Sequence, residues 1–290
     1  ETDFPSFPGA QMKPARFSFV RPQSRQEILD ALAEHGSDAS VIAGGQTLVP
    51  MLNMRLAKPK VLIDAARLPD LARMEEEKGE LRIGCAVRQA QLEQLPNLVS
   101  KQPLLARAIP FIGHVQTRAR GTVCGSIAHA DPSAELPLCL IALQGKVHLR
   151  TRRKARTVRA EDFFLGMMST AREPDELIEA VSYPTAAPGT GFAFQEIGRR
   201  HGDFAIVAVA AVASDDGVSL TVGGVDDVAR RFDLGAGRDD GLDDALNDIA
   251  WSLNARDDLH ASAAYRREIT RRLGRHVIHQ AKAEAARCQS

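Results

Sequence analysis

Val41-Ile42-Ala43-Gly44-Gly45-Gln46-Thr47-Leu48-Val49-Pro50-Met51-Leu52 decides how this chain is to be read. Residues 41–43 are a short apolar run, as in a buried strand. Leu48, Met51, Leu52 and Leu56 recur at helical spacing, so the two glycines fall on a strand-to-helix turn. Glycine lets the backbone pass close to a ligand, and a helix start presents N–H groups without intrahelical acceptors. Thr47 adds a hydroxyl donor. The turn suits a phosphate or pyrophosphate, and read alone it suits a tight strand–helix connection equally well.

A second loop of the same kind is Arg120-Gly121-Thr122-Val123-Cys124-Gly125-Ser126. It also has small residues, a hydroxyl at each end of its 122–126 segment, and apolar flanks. Two such loops can hold one diphosphate from opposite sides. Neither matches G-x-G-x-x-G or G-x-x-x-x-G-K-[ST], which disfavours a Rossmann site and a P-loop. Gly235-Ala236-Gly237 lies among acidic residues and reads as a turn.

Working outward, residues 17–20 read as a strand before Arg21-Pro22. Ser24-Arg25-Gln26-Glu27 reads as a capping box opening a helix with Ile28, Leu29, Leu32 and Ala33 on one face and a stop near Gly36. With a strand at 61–64, the first 65 residues form a β-α-β-α-β unit. A hairpin follows, 73–77 and 81–87 about Lys78-Gly79. Helices are expected at 89–94, 102–112 and 135–144, with Pro137 tolerated in a first turn. A second hairpin, 147–150 and 155–158, surrounds a basic turn, and 175–182 is a further strand. Thr185-Ala186-Ala187-Pro188-Gly189-Thr190-Gly191 is small and turn-rich and marks the main boundary. Beyond it come strands at 192–197, 204–213 and 218–222, then helices at 241–254 and 259–286. The last helix has Ala264, Ile269, Leu273 and Val277 as its inner stripe. The expected class is α+β, with subdomains at 1–65 and 66–184 and a C-terminal domain at 185–290 combining an antiparallel sheet with helices.

Composition narrows the function. The chain has 290 residues, with 37 Lys+Arg against 37 Asp+Glu. A balanced charge gives no global reason to expect nucleic acid or an anionic membrane as partner. No apolar run approaches the ~20 residues of a membrane helix. The stretch from Glu1 to Pro14 lacks the basic-then-apolar export pattern, which points to the cytoplasm. Cys85, Cys124, Cys139 and Cys288 include no C-x-x-C pair, which argues against a zinc ribbon or an Fe–S site here.

Other polar clusters have ordinary readings. His114, His129 and His201 invite a metal reading, and His129, Asp131 and Glu135 resemble a ligand set, but no metal is expected; His129 reads as a packed or hydrogen-bonding residue. His35, His148, His260, His276 and His279 read as surface residues. The basic run Arg150, Arg152, Arg153, Lys154, Arg156 and Arg159 lacks interleaved aromatics and reads as a solvated hairpin tip. Arg266, Arg267, Arg271, Arg272 and Arg275 read as the outer face of the last helix. Asp239, Asp240, Asp243, Asp244 and Asp248 read as an acidic loop and helix start. No residue is read as catalytic.

The motifs together carry a resemblance. Residues 43–47 are similar to the AGG(Q/H)(S/T) loop, and residues 122–126 to the T(I/V)GG(N/S) loop, of the FAD-binding medium subunit of molybdenum hydroxylases, the xanthine dehydrogenase and carbon monoxide dehydrogenase family. "FSFVRPQS", "VIAGGQTLVPMLNMRLAKP", "VLIDAARLPDL", "LRIGCAVRQAQLE", "RGTVCGSIAHADPSAELPL", "FFLGMMSTAREPDELIEAV" and "FAFQEIGRRHGDFAIV" follow in the family's order over residues 17–213.

The resemblance implies a PCMH-type FAD-binding fold, two α+β subdomains with FAD between them and a C-terminal α+β domain. By motif, Ala43, Gly44, Gly45, Gln46 and Thr47 would bind the FAD diphosphate through backbone N–H groups. Thr122, Val123, Cys124, Gly125 and Ser126 would clamp it from the other side. Asp131 and Glu135 fall where the family places a carboxylate near the cofactor, and Ile112, Ile178 and Gln195 where it lines the rings. Phe204 falls where an aromatic or apolar residue often neighbours the isoalloxazine; it reads equally as a core strand residue. Cys124 departs from the usual Gly-Gly pair and fits only at negative φ. Gln46 stands where related flavoproteins often carry His, so FAD is expected to be non-covalent. The implied role is an electron-transfer subunit that takes electrons from [2Fe–2S] clusters of a small subunit, fed by a large molybdopterin subunit, and passes them to an external acceptor. Molybdopterin and [2Fe–2S] are expected on partners only, in a dimer of heterotrimers. The alternatives are a self-contained PCMH-type flavin oxidoreductase, or a non-enzymatic nucleotide-binding module.

Overall fold

Three main sheets organise the chain in the computed structural model, which describes residues 13–235 and 241–289. The readings of residues 1–12, Ala236, Gly237, Asp239 and Asp240 lie outside the described residues.

The first sheet is parallel. It is built from β1 (Ser18–Val20), α1 (Arg25–His35), β2 (Ala39–Ile42), α2 (Leu48–Asn53) and β3 (Val61–Asp64), in the order β1-β3-β2. Ser24 Oγ caps α1 by accepting the Glu27 N–H at 3.2 Å. The Glu27 carboxylate accepts from Gln23 N–H at 2.9 Å and from the Ser24 hydroxyl at 3.3 Å, not from Ser24 N–H, so the expected box closes one residue early. Ile28, Leu29 and Leu32 are buried, and Gly36 (φ 49) ends the helix. The second helix is shorter than its periodicity suggests. Arg55 turns left-handed (φ 58) and the Leu56 N–H closes on Met51 O at 2.8 Å, which leaves Leu56 exposed.

The middle of the chain contributes β4 (Met74–Glu77), β5 (Glu80–Gly84), α3 (Gln89–Glu93), α4 (Leu98–Lys101), α5 (Pro103–Ala108), α6 (Val115–Arg118), α7 (Val123–His129) and α8 (Glu135–Ala142). It continues through β6 (Lys146–Arg150), β7 (Ala155–Arg159), α9 (Ala160–Phe163), β8 (Phe164–Gly166), β9 (Ser169–Thr170) and β10 (Leu177–Pro184). The sheet order is β4-β5-β10-β6-β7, so β10 sits between two hairpins and is buried nearly end to end. α4, α9, β8 and β9 escape the periodicity argument because each is four residues or fewer.

Two polar readings are corrected here. The basic hairpin is solvated at its tip, where Arg152, Arg153 and Lys154 are exposed, but Arg150 and Arg156 on its strands are half-buried and engaged. Arg150 meets Glu179 at 2.8 Å, and Arg156 grips Glu176 with two nitrogens, at 2.6 and 2.8 Å. Arg152 pairs with Asp30 and Arg159 with Glu161. Most of these carboxylates lie far away in sequence. His148 is not a free surface residue either. It is held between the Thr157 and Ser182 hydroxyls at 3.1 and 2.6 Å, and burial, helped by the charge of Arg82, lowers its pKa to about 4.

The remaining sheet is an antiparallel meander of β11 (Gly191–Ile197), β12 (Val207–Ser214), β13 (Gly217–Gly223) and β14 (Arg230–Asp233), followed by α10 (Leu242–Ser252) and α11 (Ala263–Gln289). The meander is covered on both faces, which is why β12 reads Val-Ala-Val-Ala-Ala-Val-Ala without polar alternation. Ala208 and Ala210 join the large core that includes Leu136 and Leu138 of α8. Val207, Val209 and Ala211 pack with Val277, Ile278 and Ala281 of α11. A methyl at Gly191 would lie 2.0 Å from Ala281 O, so the helix rests directly on the strand. Fully burying each of these larger aliphatic side chains contributes roughly 1.5–3 kcal/mol. Phe204 precedes β12 instead of lying in it and is 65% exposed.

The last helix also corrects its expectation. Ala264 is exposed, while Arg266, expected outside, is 6% exposed. Its Nη1 donates to Ile206 O (2.6 Å) and Gly224 O (2.7 Å), and its Nη2 to Asp258 at 2.5 Å. The guanidinium thus satisfies carbonyls at the ends of β12 and β13 that no strand reaches. No helix among the described residues is long and apolar enough to cross a membrane. Arg266→Ala is expected to destabilise the C-terminal sheet by about 3 kcal/mol, because it orphans a buried carbonyl at Ile206, a half-buried one at Gly224 and the Asp258 carboxylate. Denaturation followed by the fluorescence of Trp251 measures it; a loss within error of zero contradicts the clamp.

Candidate functional site

Gly44 is the point where the two glycine loops meet. A Cβ on Gly44 would sit 2.3 Å from Arg120 O and 2.7 Å from Gly121 Cα, so only glycine allows the first loop to lie against the second. Gly45 follows at φ 69, the left-handed conformation that turns the chain from β2 into α2. Gln46 Nε2 donates back to Gly44 O at 3.1 Å and braces the turn. Among the described residues, the N–H groups of Gly44, Gly45, Gln46, Thr47 and Leu48 donate to no protein acceptor.

The second loop is held from behind. Gln89 N–H donates to Gly121 O (2.8 Å) and Val123 N–H to Val87 O (3.1 Å), an antiparallel bridge that fixes the entry to α7. Thr122 caps α7, its Oγ1 accepting from Gly125 N–H at 3.1 Å. The N–H groups of Thr122 and Cys124 have no protein acceptor among the described residues. Cys124 is helical, with negative φ, so it fits where the family has glycine. Its thiol turns inward to Ile83 O at 3.6 Å. Burial raises the pKa of Cys124 well above the ordinary thiol value and that of Cys85 to about 12, so neither presents a thiolate.

Around this junction lies a cleft of about 530 Å³, within the usual range of small-molecule sites. Ala43, Gly44, Gly45, Gln46 and Thr47 line one side. Thr122, Cys124, Gly125, Ser126, Asp131 and Glu135 line another, and Ile112 and Ile178 supply apolar wall. Two expected residues are not in the lining. Val123 is fully buried with its N–H spent on Val87. Gln195, on β11, keeps its Oε1 buried and without a partner. Sequence reasoning had no signal for Gln89, Thr117, Arg172 or Gly202, which also line the cleft. Gln89, Arg172 and Gly202 lie within the quoted family stretches but outside the two glycine loops, and the sheets bring them to the cleft.

Two carboxylates carry unusual electrostatics. Glu135 opens α8 and is 6% exposed; burial, with Asp131 nearby, raises its pKa to about 7. Glu196 on β11 is raised to about 8 by burial and by Glu135, and its Oε2 has no hydrogen-bond partner. Asp131 is partly spent on its own turn, accepting from Ser133 N–H at 2.8 Å. Among the described residues no group of three His, Cys, Asp or Glu is placed to hold a metal. The cleft therefore offers main-chain donors from two loops, apolar walls and no thiolate, a donor set that fits a diphosphate joined to flat rings.

Comparison with known proteins agrees with this chemistry. Residues 15–186 match the family described as the FAD binding domain in molybdopterin dehydrogenase. The nicotine 6-hydroxylase medium subunit of Paenarthrobacter nicotinovorans is 36% identical over 287 residues, covering 94% of this chain and 99% of that one. The 6-hydroxypseudooxynicotine dehydrogenase complex subunit alpha of the same organism is 39% identical over 205 residues, 71% of this chain and 69% of its own length. A solved carbon monoxide dehydrogenase from Hydrogenophaga pseudoflava, lacking the Mo-pyranopterin moiety of its molybdenum cofactor, superposes with a TM-score of 0.88 at 31% identity. That match covers 93% of this chain and 99% of that one.

The carboxylates predict a pH dependence. A group whose pKa rises on folding binds more protons folded than unfolded, so its contribution is complete below the unfolded value of 4.5 and is lost as pH climbs through about 7. Melting temperature is expected to fall from about pH 5 to about pH 8, with Glu135 costing up to about 3 kcal/mol. Glu135→Gln should flatten that slope. A slope unchanged in the variant contradicts the assignment.

Proposed function

The chain belongs to the family of FAD binding domains in molybdopterin dehydrogenases, and we propose that it is the flavin-carrying electron-transfer subunit of a molybdenum hydroxylase complex. One observation carries the reading: two turns from separate lobes, each with main-chain N–H groups that no described protein group accepts, meet at Gly44 and open on one cleft.

In this reading residues 44–48 and the N–H groups of Thr122 and Cys124 bind the FAD diphosphate from two sides. The Thr47 and Ser126 hydroxyls add donors, while Ile112, Ile178 and the exposed ring of Phe204 exclude water from the ring system. Glu135, its pKa raised by burial to about 7, repels the phosphates less than an ordinary carboxylate would and in its protonated form donates a hydrogen bond. FAD is non-covalent, and no histidine lies in residues 43–47 to form a link. When bound, FAD supplies one- and two-electron redox chemistry; the chain supplies binding, orientation and exclusion of solvent.

The electrons reach this subunit from [2Fe–2S] clusters on a small partner, which receives them from a large molybdenum-cofactor subunit, and they leave to an external acceptor. The assembly is a dimer of heterotrimers. The reading is supported by the named relatives, which are a medium subunit and a complex subunit. Four cysteines outside any disulfide suit a reducing cytoplasm. The subdomain limits at residues 65 and 184 follow the sheets: the parallel sheet ends at Asp64 and the five-stranded sheet at Pro184.

The purified chain is expected to show the visible absorption of oxidised flavin, and the native complex to retain partners containing molybdenum and iron. A colourless chain that cannot be loaded with FAD rules the reading out. Gly44→Ala, which drives a methyl into Arg120 O, is expected to weaken FAD binding about tenfold or more, roughly 1.4 kcal/mol. Gly45→Val, a branched side chain at φ 69, should abolish retention while leaving the C-terminal sheet folded. Full flavin content in both variants contradicts the loop assignment.

A further inference from the structure

Gly84 lines a second cavity, of about 480 Å³, while the next residue, Cys85, lines the cleft; the two sites lie back to back at the end of β5. Arg25, Arg82 and Arg150 converge in this second cavity on one carboxylate, Glu179. Arg25 Nη1 donates to Glu179 Oε1 at 2.7 Å, Arg150 Nε to the same oxygen at 2.8 Å, and Arg82 Nη2 to Oε2 at 3.4 Å. Glu179 is 7% exposed.

The convergence is built into the sheet. Leu149 faces Ile178 and His148 faces Ala180 across β6 and β10, so Glu179 is the extra residue of a β-bulge. A bulge re-aims a side chain at the expense of ladder pairing. Here it delivers one carboxylate to arginines from three elements: α1, β5 and β6.

One carboxylate does not balance three guanidiniums. Each guanidinium has five N–H donors, and each of these spends only one nitrogen on Glu179. Arg73, at the rim, is matched by Asp70 at 2.9 Å. The remaining acid, Glu75, stands opposite Arg82 across β4 and β5 and forms no hydrogen bond or ion pair among the described residues. Four guanidiniums thus share the cavity with three carboxylates, and unspent donors line it. His148, facing Ala180, stays neutral near pH 7 and adds no cation.

We propose that this cavity binds a phosphate-class oxyanion, gripped by Arg25, Arg82 and Arg150 while Glu179 holds them in place. A tetrahedral anion has enough oxygens to meet guanidiniums arriving from three directions, and Arg–phosphate pairs are charge-assisted and often bidentate. The anion supplies the missing negative charge. Its source is free phosphate or a small phosphate ester. The site is independent of the dinucleotide cleft, and its failure leaves the flavin reading untouched.

The test uses the flavin-loaded chain, so that the cleft is already occupied. Inorganic phosphate and glycerol 3-phosphate are titrated at constant ionic strength set with potassium chloride, and melting temperature and flavin absorbance are read together. The expected result is a saturable rise in melting temperature with no loss of flavin. Tighter binding of glycerol 3-phosphate assigns the site to an ester, and tighter binding of inorganic phosphate to the free ion. Arg82→Gln removes the longest of the three contacts and leaves Glu179 two close partners. It should raise the midpoint about tenfold, as the loss of one charge-assisted contact requires. Arg159→Gln, which pairs with Glu161 and lies outside the cavity lining, should leave the midpoint unchanged. A rise matched by chloride alone, a rise retained in Arg82→Gln, or phosphate that displaces flavin overturns the proposal.

Discussion

Close approach of two backbones is the constraint on which the site depends. At Gly44 a methyl group would overlap the carbonyl of Arg120, and no side-chain rearrangement relieves a clash with main chain. The contact joins a turn of the parallel sheet to a turn leading into α7. Around it, other bonds are spent on keeping the turns open: Gln46 braces Gly44 from the side, and Val87 and Gln89 pin residues 121 and 123 from behind. What is left over is a set of N–H groups that, among the described residues, point at no protein acceptor. Unsatisfied donors are costly when dry, and gathered at one place they suit a ligand's oxygens.

Buried charge follows the same logic elsewhere. Arg266 is taken out of water on α11 because two sheet-end carbonyls and Asp258 receive it. Glu176 and Glu179 on or beside β10 are buried because arginines reach them. Glu135 and Glu196 have no such cation among the described residues, and burial raises their pKa values to about 7 and about 8. The difference separates structural ion pairs, which anchor β10 and α11, from the carboxylates beside the cleft, whose raised pKa values make them the more readily protonated.

Much of this was legible in one dimension. The strand-to-helix turn at Gly44-Gly45, the cap at Ser24, the helix stop at Gly36 and the apolar run of β12 all express local rules, since each depends on a few consecutive residues and on backbone conformations that glycine or a hydroxyl makes cheap. Leu56 escaped them because a left-handed Arg55 ended α2 early, and residue type alone does not forbid that conformation. β14, α4, α9 and the β8–β9 pair escaped because so few residues carry no period.

What the sequence determined alone was therefore the type of site: two glycine loops, their flanking elements, and through them the family. Tertiary structure alone decided which groups share a space. Arg266 and His148 read as surface residues because nothing adjacent in sequence could pair with them. Their partners, Ile206, Gly224 and Ser182, arrive only when sheets form between segments far apart along the chain. Gln89 and Arg172 enter the cleft, and Val123 and Gln195 leave it, for the same reason. Burial and electrostatic fields depend on distance in space, and sequence separation does not encode that distance once the chain has crossed from one sheet to the next.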